Sequence, residues 1–528
     1  MTEQKRFYVK KEYIIVFAAT FGFALFAHGF AMFTKLSVLD DPLYQFEVGN
    51  TLTLGRWMLY LLYRLTRFAG YSGYSLPLFN GLVSFFFLAL VSCILVNLFQ
   101  IRHPLTLVAV SGILTVTPAV TGLLAYSYTM PYYLFGLLLC TGGTALATYG
   151  RKLPQMIVGI AMIACGTGIY QAYLPFVAGV LLIIILLQTA DGKISGGKEL
   201  LRMAGRFLLI AVAALLLYLA VNALLLSVSG EQLSDYRGVG TFGTTGMDGY
   251  IARVADAYTQ FFAPASDASY HMFPMRLIWL FYLSVLFVVV LGVQTFRQLS
   301  QKEKVNGICF LLLLLLSPLV FNSIFVITGK EEVHALMVHA QSLWFFMAAA
   351  LAEHCMDAGK PCTDDAGKIP GRGKLRTAFA VVTLLLCLGL TRYANACYLS
   401  TYYAQSEAQA YLNRLALKIE QQPGYYDKME VAFISEYEKT AETLPSYDAF
   451  RAIVTFPYPR NAEELLNQYT WKLMMEQWCG FTPLTTDPAR FAEMSEVQAM
   501  PCYPEEGSIA VIDGTVVVKF ADSAASSD

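Results

Sequence analysis

Five long segments of this chain, 105–150, 153–190, 207–230, 277–296 and 305–329, contain no Asp, Glu, Lys or Arg. Backbone in hydrocarbon must satisfy its own hydrogen bonds, and a helix of about 20 apolar residues does so across a bilayer. Hydrophobic residues make up 56% and charged residues 14% of the 528 positions, and the mean hydropathy is +0.52. Soluble domains carry about a quarter charged residues, so this chain belongs in lipid. With 37 Lys+Arg against 38 Asp+Glu there is no basic domain, which argues against a nucleic-acid partner.

Eleven spans are expected, at about 13–33, 76–99, 105–125, 131–149, 155–169, 171–189, 207–228, 277–296, 306–327, 334–352 and 376–396. The basic stretch Met1 to Lys11 leads into an apolar run long enough to span, so it reads as a retained first helix. The run Leu153 to Ala190 is either one long tilted helix or two helices. Two helices, turning near Tyr170-Gln171, put all the Lys/Arg clusters on one side, including Lys5-Arg6, Arg151-Lys152, Lys198-Arg202 and Lys368-Arg372. The N-terminus is then cytoplasmic and everything after Tyr398 lies outside.

Division into a membrane domain, 1–397, and an extracytoplasmic α/β domain, 398–528, follows from the return of ordinary charge density. In the tail a helix is expected over Glu407–Gln421, a strand over Met429–Ser435, a helix over Ala462–Trp478 and a hairpin over Ser508–Phe520 turning at Asp513-Gly514. Cys479 and Cys502 are a candidate disulfide if that space is oxidising; otherwise they are free thiols. No triad, zinc spacing or nucleotide fingerprint occurs in the tail.

The outward loops hold the candidate chemistry. Asp40 and Asp41 sit together just past the first span. Asp41-Pro42 fits a helix start, with Asp41 as N-cap, which leaves Asp40 without a structural role. An aspartate at the lipid–water boundary could instead take a proton from an aqueous hydroxyl attacking a membrane-held donor. Downstream, Gly55-Arg56-Trp57 opens an amphipathic stretch, with Arg56, Tyr60, Tyr63, Arg64 and Arg67 on one face and Leu54, Met58, Leu61, Leu62, Leu65 and Phe68 on the other. Such a helix lies in the interface with its arginines at headgroup level. Guanidinium binds phosphate through paired donors, which makes Arg56 and Arg64 candidate phosphate ligands and Arg67 a contact for anionic lipid.

Lys330, Glu331, Glu332 and His334 form a short outward loop. Lys330 or His334 could neutralise a leaving phosphate and the glutamates could orient an acceptor; an ordinary solvated loop is the competing reading. Trp57, Tyr128, Tyr132 and Gln171 are candidate sugar contacts, although Tyr126, Tyr128, Tyr132 and Tyr133 also fit an aromatic belt. His28, near the outer end of the first span, reads as a satisfied polar residue that could also border the site. The loop 229–276 opens Gly-rich and ends in a second amphipathic stretch with Ile251, Val254, Tyr258, Phe261 and Phe262 on one face.

An N-terminal span, Asp40-Asp41, Gly55-Arg56-Trp57, many spans with a Tyr170-Gln171 turn, and a tail ending in Val516-Val517-Val518-Lys519 together resemble the Gtr-type bacterial membrane glucosyltransferases, the serotype-converting O-antigen enzymes and their relatives. The resemblance implies a GT-C-like fold in the bacterial cytoplasmic membrane and an undecaprenyl-phosphate-linked sugar donor, usually of glucose. It implies transfer to a cell-surface polysaccharide or glycolipid, with the essential acid of the first outer loop mapping onto Asp40 and Asp41. Glu331 and Glu332 match no family position. A donor with one phosphate requires no cofactor and no obligatory metal, although the aspartates could hold a divalent ion. The rival readings are a lipid-linked sugar flippase, a non-enzymatic display protein, and a polymerase or ligase of lipid-linked glycans. Charge-free spans disfavour ion-coupled transport.

Overall fold

The computed structural model describes residues 10–38, 40–44, 49–70, 75–194, 196–234, 246–264, 273–274, 276–353, 372–435, 454–467 and 470–521. Two compact units emerge, one of residues 1–35 and 46–395, the other of residues 36–45 and 396–528. The boundary therefore differs from a linear division at 397/398, because the segment bearing Asp40 and Asp41 belongs with the tail.

The first unit is helical. In chain order it contains α1 (Lys11–Phe33), α2 (Trp57–Phe68), α3 (Pro77–Leu98), α4 (Pro104–Val116), α5 (Pro118–Leu123), α6 (Met130–Tyr149), α7 (Leu153–Ile169) and α8 (Leu174–Ala190). It continues with α9 (Gly197–Ser229), α10 (Met247–Phe262), α11 (Ile278–Lys302), α12 (Lys304–Phe321), α13 (Ile324–Thr328), α14 (Leu343–Glu353) and the first part of α15 (Arg372–Glu420). Among the described residues eight helices are long and apolar enough to cross a membrane, or nine when the pair 104–116 and 118–126, bent by 41° at Thr117-Pro118, counts as one. The chain is thus a polytopic helical membrane protein.

Among the described residues, two of the eleven expected spans are shorter than a full crossing helix. The expected span 155–169 is the 17-residue α7, and 334–352 is a series of 3-10 turns followed by the 11-residue α14. Eleven residues rise only about 16 Å, half the hydrocarbon thickness. Leu343 to Ala352 are all buried, so the apolar character of α14 serves packing inside the protein. The run 153–190 is two helices, as expected, broken where Tyr170 takes extended backbone (φ −152°, ψ 112°).

Several buried polar side chains within the bundle are paired internally. His28 Nε2 donates to the Thr115 carbonyl at 3.0 Å and its ring stacks on Phe85, which satisfies it as expected. Asn395 Nδ2 donates to the Phe26 carbonyl and Gln341 Nε2 to Asn322 Oδ1. Glu353 accepts from the Arg102 and His103 amides at the N-terminus of α4, where a carboxylate is favoured by the helix dipole.

The second unit is built on the end of α15, on which Ala404, Ala408, Tyr411, Leu412, Leu415 and Ile419 make one buried face. The helix expected at Glu407–Gln421 is therefore the last part of a 49-residue helix. A four-stranded sheet lies beside it, in the order β2 (Leu484–Thr485), β1 (Glu430–Ile434), β4 (Thr515–Lys519), β3 (Ile509–Ile512). β1 runs parallel to β2 and β4, and β3 pairs antiparallel with β4. Asp513 (φ 48°) and Gly514 (φ 75°) close that hairpin in the left-handed conformation a two-residue turn requires. The expected helix 462–478 is two pieces, α16 (Ala462–Leu465) and α17 (Trp471–Cys479). Phe433, Trp471, Tyr503 and Phe520 interlock edge-to-face and stacked in the core. Cys479 and Cys502, the candidate disulfide, are free thiols here.

Candidate functional site

In the first unit the Gly55-Arg56-Trp57 turn is fixed from both sides. The Gly55 amide donates to Leu52 O and the Arg56 amide to Thr51 O, a tight turn that puts Gly55 at φ 72°. Gln171 Nε2 donates to the Leu54 carbonyl (2.8 Å) and to Tyr218 Oη (3.2 Å), while Tyr218 Oη donates to the Gly55 carbonyl (3.0 Å). A Cβ on Gly55 would stand 2.8 Å from both Gln171 Nε2 and Tyr218 Oη, so only glycine fits. Trp57 is buried and packs on Gly168, where a Cβ would come within 2.6 Å of the indole.

This turn aims Arg56 into an aromatic cluster. Its Nη1 donates to Tyr133 Oη at 3.0 Å, and its guanidinium lies 5.4 Å from the Tyr170 ring centre and 6.0 Å from that of Tyr133. Tyr133 and Tyr170 stack on each other at 4.8 Å, Tyr173 meets Tyr170 edge-on, and Tyr173 Oη donates to the Tyr133 carbonyl. His339 in turn packs edge-on against Tyr173 at 5.5 Å. A half-buried guanidinium stacked on ring faces and hydrogen-bonded to Tyr133 has lost much of its rotamer freedom.

The amphipathic helix α2 differs from expectation in one respect. Leu61, Leu65 and Phe68 are exposed on the apolar face, Phe68 by 91%. Tyr63, however, is turned inward with Trp57 and Leu59 and meets Tyr132 edge-on at 4.8 Å, with Thr66 Oγ1 hydrogen-bonded to Tyr132 Oη. Arg64 is exposed and engages Tyr60 on its own helix, so it does not join Arg56.

Of the sequence-predicted residues, Arg56, Trp57 and Gln171 come together. Tyr128 and Tyr132 are buried. The Gln171 amide is committed to the turn it holds. Lys330, Glu331 and Glu332 form a 3-10 turn with Glu331 exposed, and His334 follows half-buried. The structure links that segment to the Arg56 cluster through His339, five residues beyond His334. Sequence reading singles out Tyr170 only as part of the turn, and does not single out Tyr173, Tyr218 or His339. A tyrosine or histidine inside a charge-free helix looks like ordinary filler, and only its partners reveal otherwise.

A second polar group lies at the N-terminal end of α3. Lys35 Nζ donates to Ser75 Oγ at 3.1 Å, Ser75 Oγ is hydrogen-bonded to Ser127 Oγ, and Asn80 Nδ2 donates to the Ser127 carbonyl at 2.9 Å.

In the second unit Asp40 and Asp41 occupy a hydrogen-bonded turn. The Asp41 amide donates to the Val38 carbonyl, and the Asp40 carbonyl accepts from the Leu43 and Tyr44 amides. The expected helix start at Asp41-Pro42 is this turn. Gln405 Oε1 accepts from the Ser37 amide and Gln477 Nε2 donates to the Pro42 carbonyl, tying the segment to α15 and α17. Asp41 is fully buried, whereas Asp40 is presented at the surface. Surrounding protein nevertheless raises the Asp40 carboxyl above the ordinary aspartate value through desolvation. Among the described residues no three His, Cys, Asp or Glu side chains are grouped to hold a metal ion.

No curated protein and no solved structure matches the chain. The family model described as glucosyl transferase GtrII matches residues 29–348, from the end of α1 into α14. That match covers more than half of the chain and includes both the acidic turn and the whole Arg56 cluster. The chain belongs to the GtrII glucosyl transferase family and is a polytopic membrane glycosyltransferase of the GT-C class.

Proposed function

We propose that the enzyme moves a glucosyl group from a polyprenyl-phosphate donor to a cell-surface polysaccharide or glycolipid on the extracytoplasmic face of a bacterial cytoplasmic membrane. The observation that carries this reading is the preorganised Arg56 guanidinium. It stands at the head of an interfacial helix whose apolar face is bare, where a lipid phosphate would present its charge. Basic clusters at Arg151-Lys152 and Lys198-Arg202 support the orientation with a cytoplasmic N-terminus. In this topology α7 and the segment 335–353 complete eleven crossings.

The roles are assigned from the chemistry of each side chain. Asp40 accepts the proton of the acceptor hydroxyl as its oxygen bonds to the anomeric carbon. The bond from that carbon to the phosphate oxygen breaks, and the polyprenyl phosphate leaves with its charge neutralised by Arg56. One displacement inverts the anomeric centre. Asp41, buried in the turn, presents Asp40. Lys330 and His334 are further phosphate contacts, and Glu331 and Glu332 acceptor contacts, in this assignment.

The test compares cell-surface glycans from cells expressing wild type, Asp40→Asn and Arg56→Gln. Loss of one side-branch hexose in both variants, with normal amounts of inserted protein, is expected. An unchanged glycan in cells lacking the protein altogether would remove the transferase reading of its substrate.

A further inference from the structure

Arg56 rests on Tyr133 and Tyr170, and a third tyrosine holds both. Tyr173 is fully buried in the turn between α7 and α8. Its hydroxyl donates to the Tyr133 carbonyl at 2.9 Å, its ring meets the Tyr170 ring edge-on at 5.3 Å, and its amide donates to the Tyr170 carbonyl at 3.2 Å. Tyr133 belongs to the first turn of α6, and Tyr170 to the break that ends α7. Tyr173 is therefore a brace between two separate elements, and the 4.8 Å stacking of Tyr133 on Tyr170 depends on how those elements meet.

The hydroxyl is the informative atom. Phenylalanine would fill the same space without a polar group, and a buried hydroxyl is unfavourable unless it is hydrogen-bonded. The bond to Tyr133 adds little net stability but fixes the position of α6 against the turn. Arg56 is sensitive to that position, because its Nη1 donates to Tyr133 Oη while its guanidinium lies over Tyr170. A slip of one ring against the other breaks one of these two contacts. Behind Tyr173 stands His339, buried and edge-on at 5.5 Å. Among the described residues neither of its ring nitrogens has a hydrogen-bond partner, so what His339 contributes here is its ring.

We propose that Tyr173, backed by His339, is a positioning residue for Arg56: it keeps the Tyr133–Tyr170 stack at the spacing that presents the guanidinium to a lipid phosphate. The assignment rests on Arg56 being the phosphate ligand. A polyprenyl chain does not bind through the stack, so the effect is confined to the phosphate.

The test measures binding of undecaprenyl phosphate to the purified full-length protein in detergent, beside undecaprenol, which has the same chain and no phosphate. Tyr173→Phe should weaken undecaprenyl phosphate about tenfold, the upper end of the net worth of one hydrogen bond, and leave undecaprenol unchanged. Arg56→Gln should weaken the phosphate ligand at least as much. Tyr173→Phe added to Arg56→Gln should bring no further loss, because a residue acting through Arg56 then has nothing to place. His339→Ala should mimic Tyr173→Phe, and His339→Phe, which restores a ring, should recover the binding. These two variants serve if Tyr173→Phe fails to fold. Unchanged phosphate binding in Tyr173→Phe, equal loss of both ligands, additive losses in the double variant, or no recovery in His339→Phe would each overturn the proposal. If Arg56→Gln leaves phosphate binding intact, the reading of Arg56 falls and the positioning role with it. A loss in Arg56→Gln with none in Tyr173→Phe strikes the positioning role alone.

Discussion

The Arg56 guanidinium lies 5.4 Å from the centre of the Tyr170 ring, and Tyr170 occupies the single extended residue that splits α7 from the turn leading into α8. The break in an otherwise continuous apolar run thus supplies the surface on which the candidate phosphate ligand rests. Lysine cannot reproduce this arrangement, because its ammonium neither stacks nor forks. Arg56→Lys should lower transfer from polyprenyl-phosphate glucose by on the order of a hundredfold, the usual cost of one transition-state donor. Arg56→Gln should do at least as much. Initial rates in detergent-solubilised membranes, normalised to inserted protein, provide the measurement, and near wild-type rates for Arg56→Lys would remove the stacked geometry from the mechanism.

Gly55 is the second point of leverage. Adding one methyl meets a backbone at φ 72° and two polar atoms at 2.8 Å, so Gly55→Ala must break the Gln171 and Tyr218 bonds that hold the turn. A loss of about 2 kcal/mol is expected from strain and unmade buried hydrogen bonds. Thermal unfolding of the purified protein measures it. Activity should fall with it, since Arg56 is the next residue, and Gln171→Ala should reproduce part of both effects.

How far these features were legible in the sequence follows from what hydropathy reports. Charge-free runs gave away most of the spans, and the tally of Lys/Arg clusters placed the break at Tyr170 correctly. The run 334–352 has the same apolar character as its neighbours, yet it folds as turns and a short helix enclosed by protein. Apolar side chains reveal that they leave water, not whether lipid or protein receives them. The same blindness put Tyr63 on the polar face of α2, where it in fact packs inward on Tyr132. Of the site, Arg56, Trp57 and Gln171 were visible as polar or aromatic residues at turns. Tyr170 was visible as the turn but not as a ring partner of Arg56, and Tyr173, Tyr218 and His339 were not visible, because their significance lies in contacts between elements far apart in the chain.

The tail offers a check independent of the membrane. Trp471 packs edge-on against both Phe433 and Phe520, uniting α17 with β1 and the end of the hairpin. Trp471→Ala should cost the second unit about 3–5 kcal/mol through the lost burial and the cavity left behind. Gln477, which holds the Pro42 carbonyl, lies on the same helix. Limited proteolysis of the full-length protein should therefore show earlier cleavage both within 396–528 and near residue 42, while fragments of the first unit persist.

The pH profile tests Asp40. Desolvation raises its carboxyl above the usual aspartate value in the folded protein. A base works only when deprotonated, so transfer should decline as pH falls through that raised value, at a higher pH than an ordinary surface aspartate would give. The stability consequence has the opposite sense. A folded-state pKa above the unfolded one means that the folded protein binds more protons between the two, so this group's contribution weakens the fold as pH rises through that window. Asp40→Asn removes the charge whose desolvation is unfavourable, so at neutral pH it should leave thermal stability equal to or above wild type while abolishing transfer. Asp41→Asn, at a buried position within the turn, should instead lower stability as well as rate. Comparison of rate and unfolding temperature for both variants across the acidic range separates the two aspartates. A variant Asp40→Asn that keeps full activity, or one that loses activity only in proportion to lost stability, would deny Asp40 the role of base.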